Sequence, residues 1–153
     1  LVYALPFPAG FCFSDSKMIC MDMFIHGSRL LREIQEEFQA SYPYLKMIFL
    51  WKKNPDDKYE ILPEASEPFI RIADISRENL QGFISIDDHT RLNQLMNLFK
   101  AEFDISVNFL HFTKAGWVSA CDITEATIKE LNEQGRICFH SIHNVYVKPD
   151  HLL

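Results

Sequence analysis

Apolar positions alternate between Ile19 and Ile25, with Met21, Met23 and Ile25 on one face. After Gly27-Ser28 the spacing changes: Leu30, Leu31, Ile34 and Phe38 recur at helical intervals, with Arg32, Glu33, Glu36 and Glu37 between them. A switch from period two to period 3.6 predicts a strand and then an amphipathic helix over about 28–40. The pattern returns at Phe83–Ile86, followed by Asp88-His89-Thr90 and a second helix over about 90–102 through Leu92, Leu95, Met96 and Phe99. Pro43 and Asp104 end the two helices, and the β-branched and aromatic runs Leu45–Trp51 and Ile105–Phe112 predict strands. Thr113-Lys114-Ala115-Gly116 predicts a short hairpin into Trp117–Cys121. Ser76 and Thr124 predict N-caps of two closing helical segments, the second running to Gln134 before Gly135 stops it.

The same pattern is thus written twice. A shift of 61 positions lays Leu31, Ile34, Phe38, Tyr42 and Phe49 on Leu92, Leu95, Phe99, Phe103 and Leu110. A shift of 48 then lays Phe69–Ser76 on Trp117–Thr124, which places one insertion, Lys52–Pro68, in the first copy. Phe139-His140-Ser141-Ile142 echoes Phe83-Ile84-Ser85-Ile86, so residues 137–148 read as a closing strand. The expectation is an α+β fold over residues 18–153: an internally duplicated β-α-β-β-α unit, with repeat 1 about 19–81 and repeat 2 about 82–136, plus that C-terminal strand. Right-handed crossovers would make the first two strands of each copy parallel, in a mixed sheet with helices mainly on one face. One pseudo-symmetric domain with a shared core is expected, because a unit of about 60 residues buries too little surface alone.

Residues 1–17 have no counterpart in the second copy. The chain begins without methionine, and Met18, Met21 and Met23 cluster where the first repeat starts. The segment is therefore expected to be an extension upstream of the natural start, loosely packed. Leu1–Phe13 carries two prolines and no basic region, unlike a membrane span or a signal peptide.

A chain of 153 residues, 48% hydrophobic and 24% charged, suits one globular domain. The net charge of −6 opposes a phosphate-binding surface, so nucleic acid is not an expected partner. Cys12, Cys20, Cys121 and Cys138 form no CxxC pair and read as reduced thiols of a cytoplasmic protein.

Two stretches, Phe38-Gln-Ala-Ser-Tyr-Pro-Tyr-Leu-Lys-Met-Ile-Phe49 and Phe99-Lys-Ala-Glu-Phe-Asp-Ile-Ser-Val-Asn-Phe-Leu110, each carry a helix end with spaced aromatics and then a strand. With Trp117 and the run Asn132-Glu133-Gln134-Gly135, they resemble a group of small bacterial proteins of unknown function. The resemblance spans most of residues 21–136 and implies a duplicated βαββα architecture without known catalytic residues. The chain departs from that group in its long first insert and in Pro43, where glycine would be expected.

Asp87, Asp88 and His89 stand where a strand gives way to a helix, a place able to present two carboxylates and an imidazole for metal or acid–base chemistry. The same residue types cap helices, and His26-Gly27-Ser28 replaces them in the first copy, so capping is the favoured reading. Cys138, His140 and His143 could offer zinc ligands, Cys138 and His140 from one strand face, but no second spaced pair joins them and packing is favoured. His111, Tyr42 and Trp117 read as packing residues. Phosphate loop, serine elbow, His-Glu-x-x-His and EF-hand signatures are all missing. The insert is the largest asymmetry between the copies, and Tyr59, Ile61 and Leu62 are its apolar anchors and the candidate binding residues.

These readings lead to a non-catalytic, cytoplasmic protein-interaction or binding module. It would meet a protein partner or a second copy through an exposed strand edge or the insert, with no metal, cofactor or membrane involved. The alternatives are a small metal-dependent hydrolase using Asp87, Asp88 and His89 with His111 or His140, and an inhibitor or immunity-type protein.

Overall fold

The alternation after Ile19 forms a strand, β1 (Cys20–Ile25), and the helical spacing that follows forms α1 (Leu31–Ser41). These assignments come from a computed structural model that describes residues 19–52, 54–61, 69–76 and 81–147. The expected extension over residues 1–17 lies outside the described residues, as do Leu62 and the segment after Ser76. The chain continues through β2 (Leu45–Trp51), the two-residue β3 (Glu60–Ile61) and the single-turn α2 (Ile72–Ile75). The second half runs β4 (Gly82–Asp87), α3 (Leu92–Phe103), β5 (Ser106–Thr113), β6 (Gly116–Ser119) and α4 (Ile128–Val147). The α+β class is as the hydrophobic pattern indicates.

The sheet arrangement corrects the expected crossovers. Among the described residues every strand pair is antiparallel: β1 pairs with β4 as a two-stranded ribbon, and a separate four-stranded sheet has the order β3-β2-β5-β6. β1 and β2 of the first half therefore pair with β4 and β5 of the second, instead of joining each other in a parallel crossover, while β3 and β6 lie at the edges as antiparallel partners of β2 and β5. In the ribbon Met23 lies opposite Ile84, and in the larger sheet Met47 lies opposite Phe109. The inner faces of both sheets meet α1 and α3 in one core, where Met23, Ile25, Ile84 and Ile86 join Phe38, Phe49, Phe99 and Phe109. Burying each of these large side chains contributes roughly 1.5–3 kcal/mol. The outer face of the ribbon carries the cross-strand pair Phe24 and Phe83, whose ring centroids are 5.0 Å apart.

Equivalent backbone hydrogen bonds join the helix starts in both halves. Leu31 donates to the Ile70 carbonyl (2.9 Å) and Ile72 to that of Arg29 (2.9 Å). Leu92 donates likewise to Ala126 (3.2 Å) and Ile128 to Thr90 (2.8 Å). Isolated bridges Leu30–Arg71 and Arg91–Thr127 complete the match. Ile70 and Ile72 thus correspond to Ala126 and Ile128, which corrects the register that laid Phe69–Ser76 on Trp117–Thr124. Trp117 lies in the β5–β6 hairpin, as the Thr113–Gly116 turn predicts, opposite Phe112.

One predicted cap moves, whereas the segment that Ser76 is expected to start lies outside the described residues. Ser76 follows the end of α2 and donates its hydroxyl to the Phe103 carbonyl at 2.7 Å. Thr127, not Thr124, starts α4: its hydroxyl accepts from the Glu130 amide (3.1 Å), and the Glu130 carboxylate accepts from the Thr127 amide (3.2 Å). This is the reciprocal capping box of a Thr-x-x-Glu sequence.

The C-terminal strand expected over 137–148 is helix as far as Val147, because Gly135 does not stop α4. Gly135 is buried where the helix passes Tyr44, and a Cβ there would lie 2.5 Å from Tyr44 Cβ. Close approach, rather than a left-handed turn, explains this glycine. Beyond it Phe139 packs on Tyr44 and Phe112 at centroid distances of 5.6 and 5.9 Å, and Phe112 meets Trp117 at 5.4 Å. Among the described residues no helix is long and apolar enough to cross a membrane.

Candidate functional site

The three residues at the β4–α3 junction serve different local ends. The Asp87 carboxylate accepts from the His89 amide at 2.8 Å and from the Thr90 hydroxyl at 3.3 Å, which closes the turn before α3. Asp88 is buried and accepts from the Tyr42 hydroxyl (3.3 Å) and from the Ile19 amide (3.2 Å). The His89 side chain is exposed. Burial first, and the neighbouring Asp88 charge second, push the Tyr42 phenol well above its ordinary value. The pair therefore holds a protonated tyrosine against Asp88, fastening the end of α1 to the turn after β4, and the same side chain receives the Ile19 amide at the entry of β1.

The other polar candidates are dispersed. His111 sits on β5 opposite Leu45 and Val118, and burial lowers its imidazole pKa. Cys138 and His140 lie on a helix rather than a strand, and residues two apart on a helix do not share a face. His143 Nδ1 lies 3.0 Å from the Phe139 carbonyl. Among the described residues no group of three or more His, Cys, Asp or Glu side chains could hold a metal ion.

The insert builds a recess at the end of the larger sheet. After β2, the turn at Asn54–Asp57 is closed by the Asp57 carboxylate, which accepts from the Asn54 amide and side chain, both at 3.1 Å. The chain then returns as β3, pairing Glu60 with Trp51 and Ile61 with Leu50. This return lays Tyr59 over the end of α3. Lys100 donates to the Tyr59 hydroxyl at 3.1 Å and to Asp104 Oδ1 at 2.8 Å, while the Lys52 ammonium stands 4.3 Å from the centre of the Tyr59 ring. Beneath them opens a cleft of about 280 Å³, and an adjoining recess of about 290 Å³ shares Trp51, Lys52, Pro55 and Ile75 with it.

Of the sequence-derived binding residues, Tyr59 forms a wall of this cleft and Ile61 lies exposed on β3. Lys52, Lys100, Asp104 and Ser106 are cleft residues that the sequence reading did not single out. The Lys100-to-Asp104 spacing at a helix end was the available signal, because residues four apart share a helix face.

The electrostatics favour holding charge over moving protons. A hydrogen bond from Ser106, and then one from Lys100, keep the Tyr59 phenol below its ordinary value. The hydrogen bonds of Lys100 to Asp104 and to Tyr59 raise its own pKa, so it stays an ammonium and offers no base. The site is a fixed positive field beside aromatic walls, on a chain whose net charge is −6. Comparison with protein-family models, curated proteins and solved structures finds no match to this chain.

Proposed function

We propose that this chain is a non-catalytic, cytoplasmic interaction module whose insert builds the wall that receives a protein partner. One observation carries the reading: the insert returns as a strand and is tied to α3 through the Tyr59–Lys100 hydrogen bond, forming a cleft at the end of the main sheet. A merely solvated loop has no need of that tie. The cleft is lined by groups that recognise rather than react, with a permanent ammonium at Lys100 and indole and phenol surfaces from Trp51 and Tyr59.

The test uses the full chain as bait, comparing wild type with Tyr59→Ala and with a variant whose Asn54–Glu67 segment is replaced by a short turn. Circular dichroism establishes that both variants are folded. A partner held by wild type and lost by both variants is expected; equal capture by all three removes the insert from the reading. Native mass spectrometry of the freshly purified chain provides the counter-test, because a retained metal or small molecule would bring the hydrolase alternative forward.

A further inference from the structure

We propose that the cleft takes a carboxylate, which bridges the Lys52 ammonium beside the Tyr59 ring and the Lys100 ammonium at its hydroxyl edge. The inference rests on the interaction-module reading and specifies the chemistry of the group received.

Charge and size both point to a singly charged group. Lys52 and Lys100 stand 4.3 and 5.8 Å from the centre of one tyrosine ring, so two like charges are drawn together there. Among the described residues, Asp104 is the carboxylate that pairs with Lys100, and none pairs with Lys52. Among the described residues that line the cleft, two ammonium groups stand against one carboxylate, an excess of one positive charge that a monoanion balances. A phosphate dianion would overfill it while facing the Asp104 carboxylate beside Lys100.

The cleft volume of about 280 Å³ admits one or two amino-acid units, not a large ligand. Trp51 and Pro55 supply the apolar surface for the stem of such a group. A carboxylate of this kind comes either from an Asp or Glu side chain of an acidic segment or from the end of a chain. Both sources present the same chemistry to the two lysines.

The experiment titrates the full chain, carrying Trp117→Phe so that fluorescence reports Trp51. Three acetylated tetrapeptides serve as probes: acetyl-Ala-Glu-Ala-Ala-amide, acetyl-Ala-Ala-Ala-Ala with a free C-terminal carboxylate, and the neutral acetyl-Ala-Gln-Ala-Ala-amide. At least one carboxylate peptide is expected to bind while the neutral one does not, and the stronger of the first two identifies the source. Lys52→Met and Lys100→Met should each weaken binding on the order of tenfold, as loss of a charged hydrogen-bond partner does. Lys52→Arg should retain most of it.

Binding should also fall as salt rises, because these charges are partly exposed. Failure of both carboxylate peptides, equal binding after either Lys→Met change, or tighter binding of inorganic phosphate would each overturn the assignment. Binding of the neutral peptide that disappears with Tyr59→Ala would overturn the carboxylate while leaving the cleft as a peptide site. The two readings therefore fail separately.

Discussion

Gly135 and Tyr44 meet so closely that the space for a glycine Cβ is already taken: the added atom would lie 2.5 Å from Tyr44 Cβ and 3.4 Å from Phe112 Cβ. Tyr44 cannot yield easily, because its amide donates to Asn132 Oδ1 at 2.9 Å and its ring packs on Phe112 and Phe139. In an open helix, Gly→Ala stabilises by about 1 kcal/mol. Here Gly135→Ala should instead destabilise by about 1–3 kcal/mol, the usual cost of overpacking. Urea denaturation of the two proteins checks the sign, and a stabilised variant would show that α4 can move off Tyr44 without loss.

Thr127 and Glu130 close the first turn of α4 reciprocally, whereas Thr124 contributes its carbonyl, which accepts from Asn93 at 2.8 Å. Thr127→Ala should therefore cost about 1 kcal/mol, the ordinary value of a lost N-cap. Thr124→Ala keeps the carbonyl and should stay within about 0.5 kcal/mol of wild type. Denaturant midpoints of the two variants measure the contrast, and equal losses would remove the special role given to Thr127.

Much of this architecture was legible because it is local. The helix faces through Leu31, Ile34 and Phe38 and through Leu92, Leu95 and Phe99 are buried as their spacing requires. Asp104 does end α3, in a left-handed conformation with φ 52°. Strand partnership was not legible, since the apolar face of β1 looks the same whether its neighbour is parallel or antiparallel. Gly135 misled for a similar reason: a helix stop and a close helix crossing require the same missing Cβ. In the cleft, Tyr59 stood out by type within the insert, but its meeting with Lys100 depends on the long-range return of β3 to β2.

Tyr42 and Asp88 make stability depend on alkaline pH. Burial and the Asp88 carboxylate raise the Tyr42 pKa in the folded chain, while the unfolded tyrosine titrates near its ordinary value of 10.0. Between these values the folded state binds more protons than the unfolded state, so this contribution is complete below about pH 10 and declines as pH rises above it. Tyr42→Phe should lower stability at neutral pH by about 1–3 kcal/mol, because Asp88 loses its buried donor. The gap between wild type and variant should then narrow above about pH 10. Denaturation midpoints on both sides of that pH give the comparison, and a constant gap would mean that Tyr42 ionises as readily folded as unfolded.

Tyr59 shifts in the opposite direction and for different reasons, which makes its titration a direct report on the cleft. Ser106 is the largest cause of its lowered pKa, followed by the hydrogen bond from Lys100, with the charges of Lys100 and Lys52 adding smaller contributions. Ser106→Ala and Lys100→Gln should consequently each move the phenol back up, and Lys52→Gln should move it least. Ultraviolet phenolate titrations, taken as differences from the same background carrying Tyr59→Phe, isolate this tyrosine from the others. Because Tyr59 is well exposed, these shifts should shrink in high salt where they arise from the lysine charges and persist where they arise from the Ser106 hydrogen bond. A titration indifferent to all three substitutions would show that the insert does not hold Tyr59 against α3 in solution, and the cleft would lose its wall.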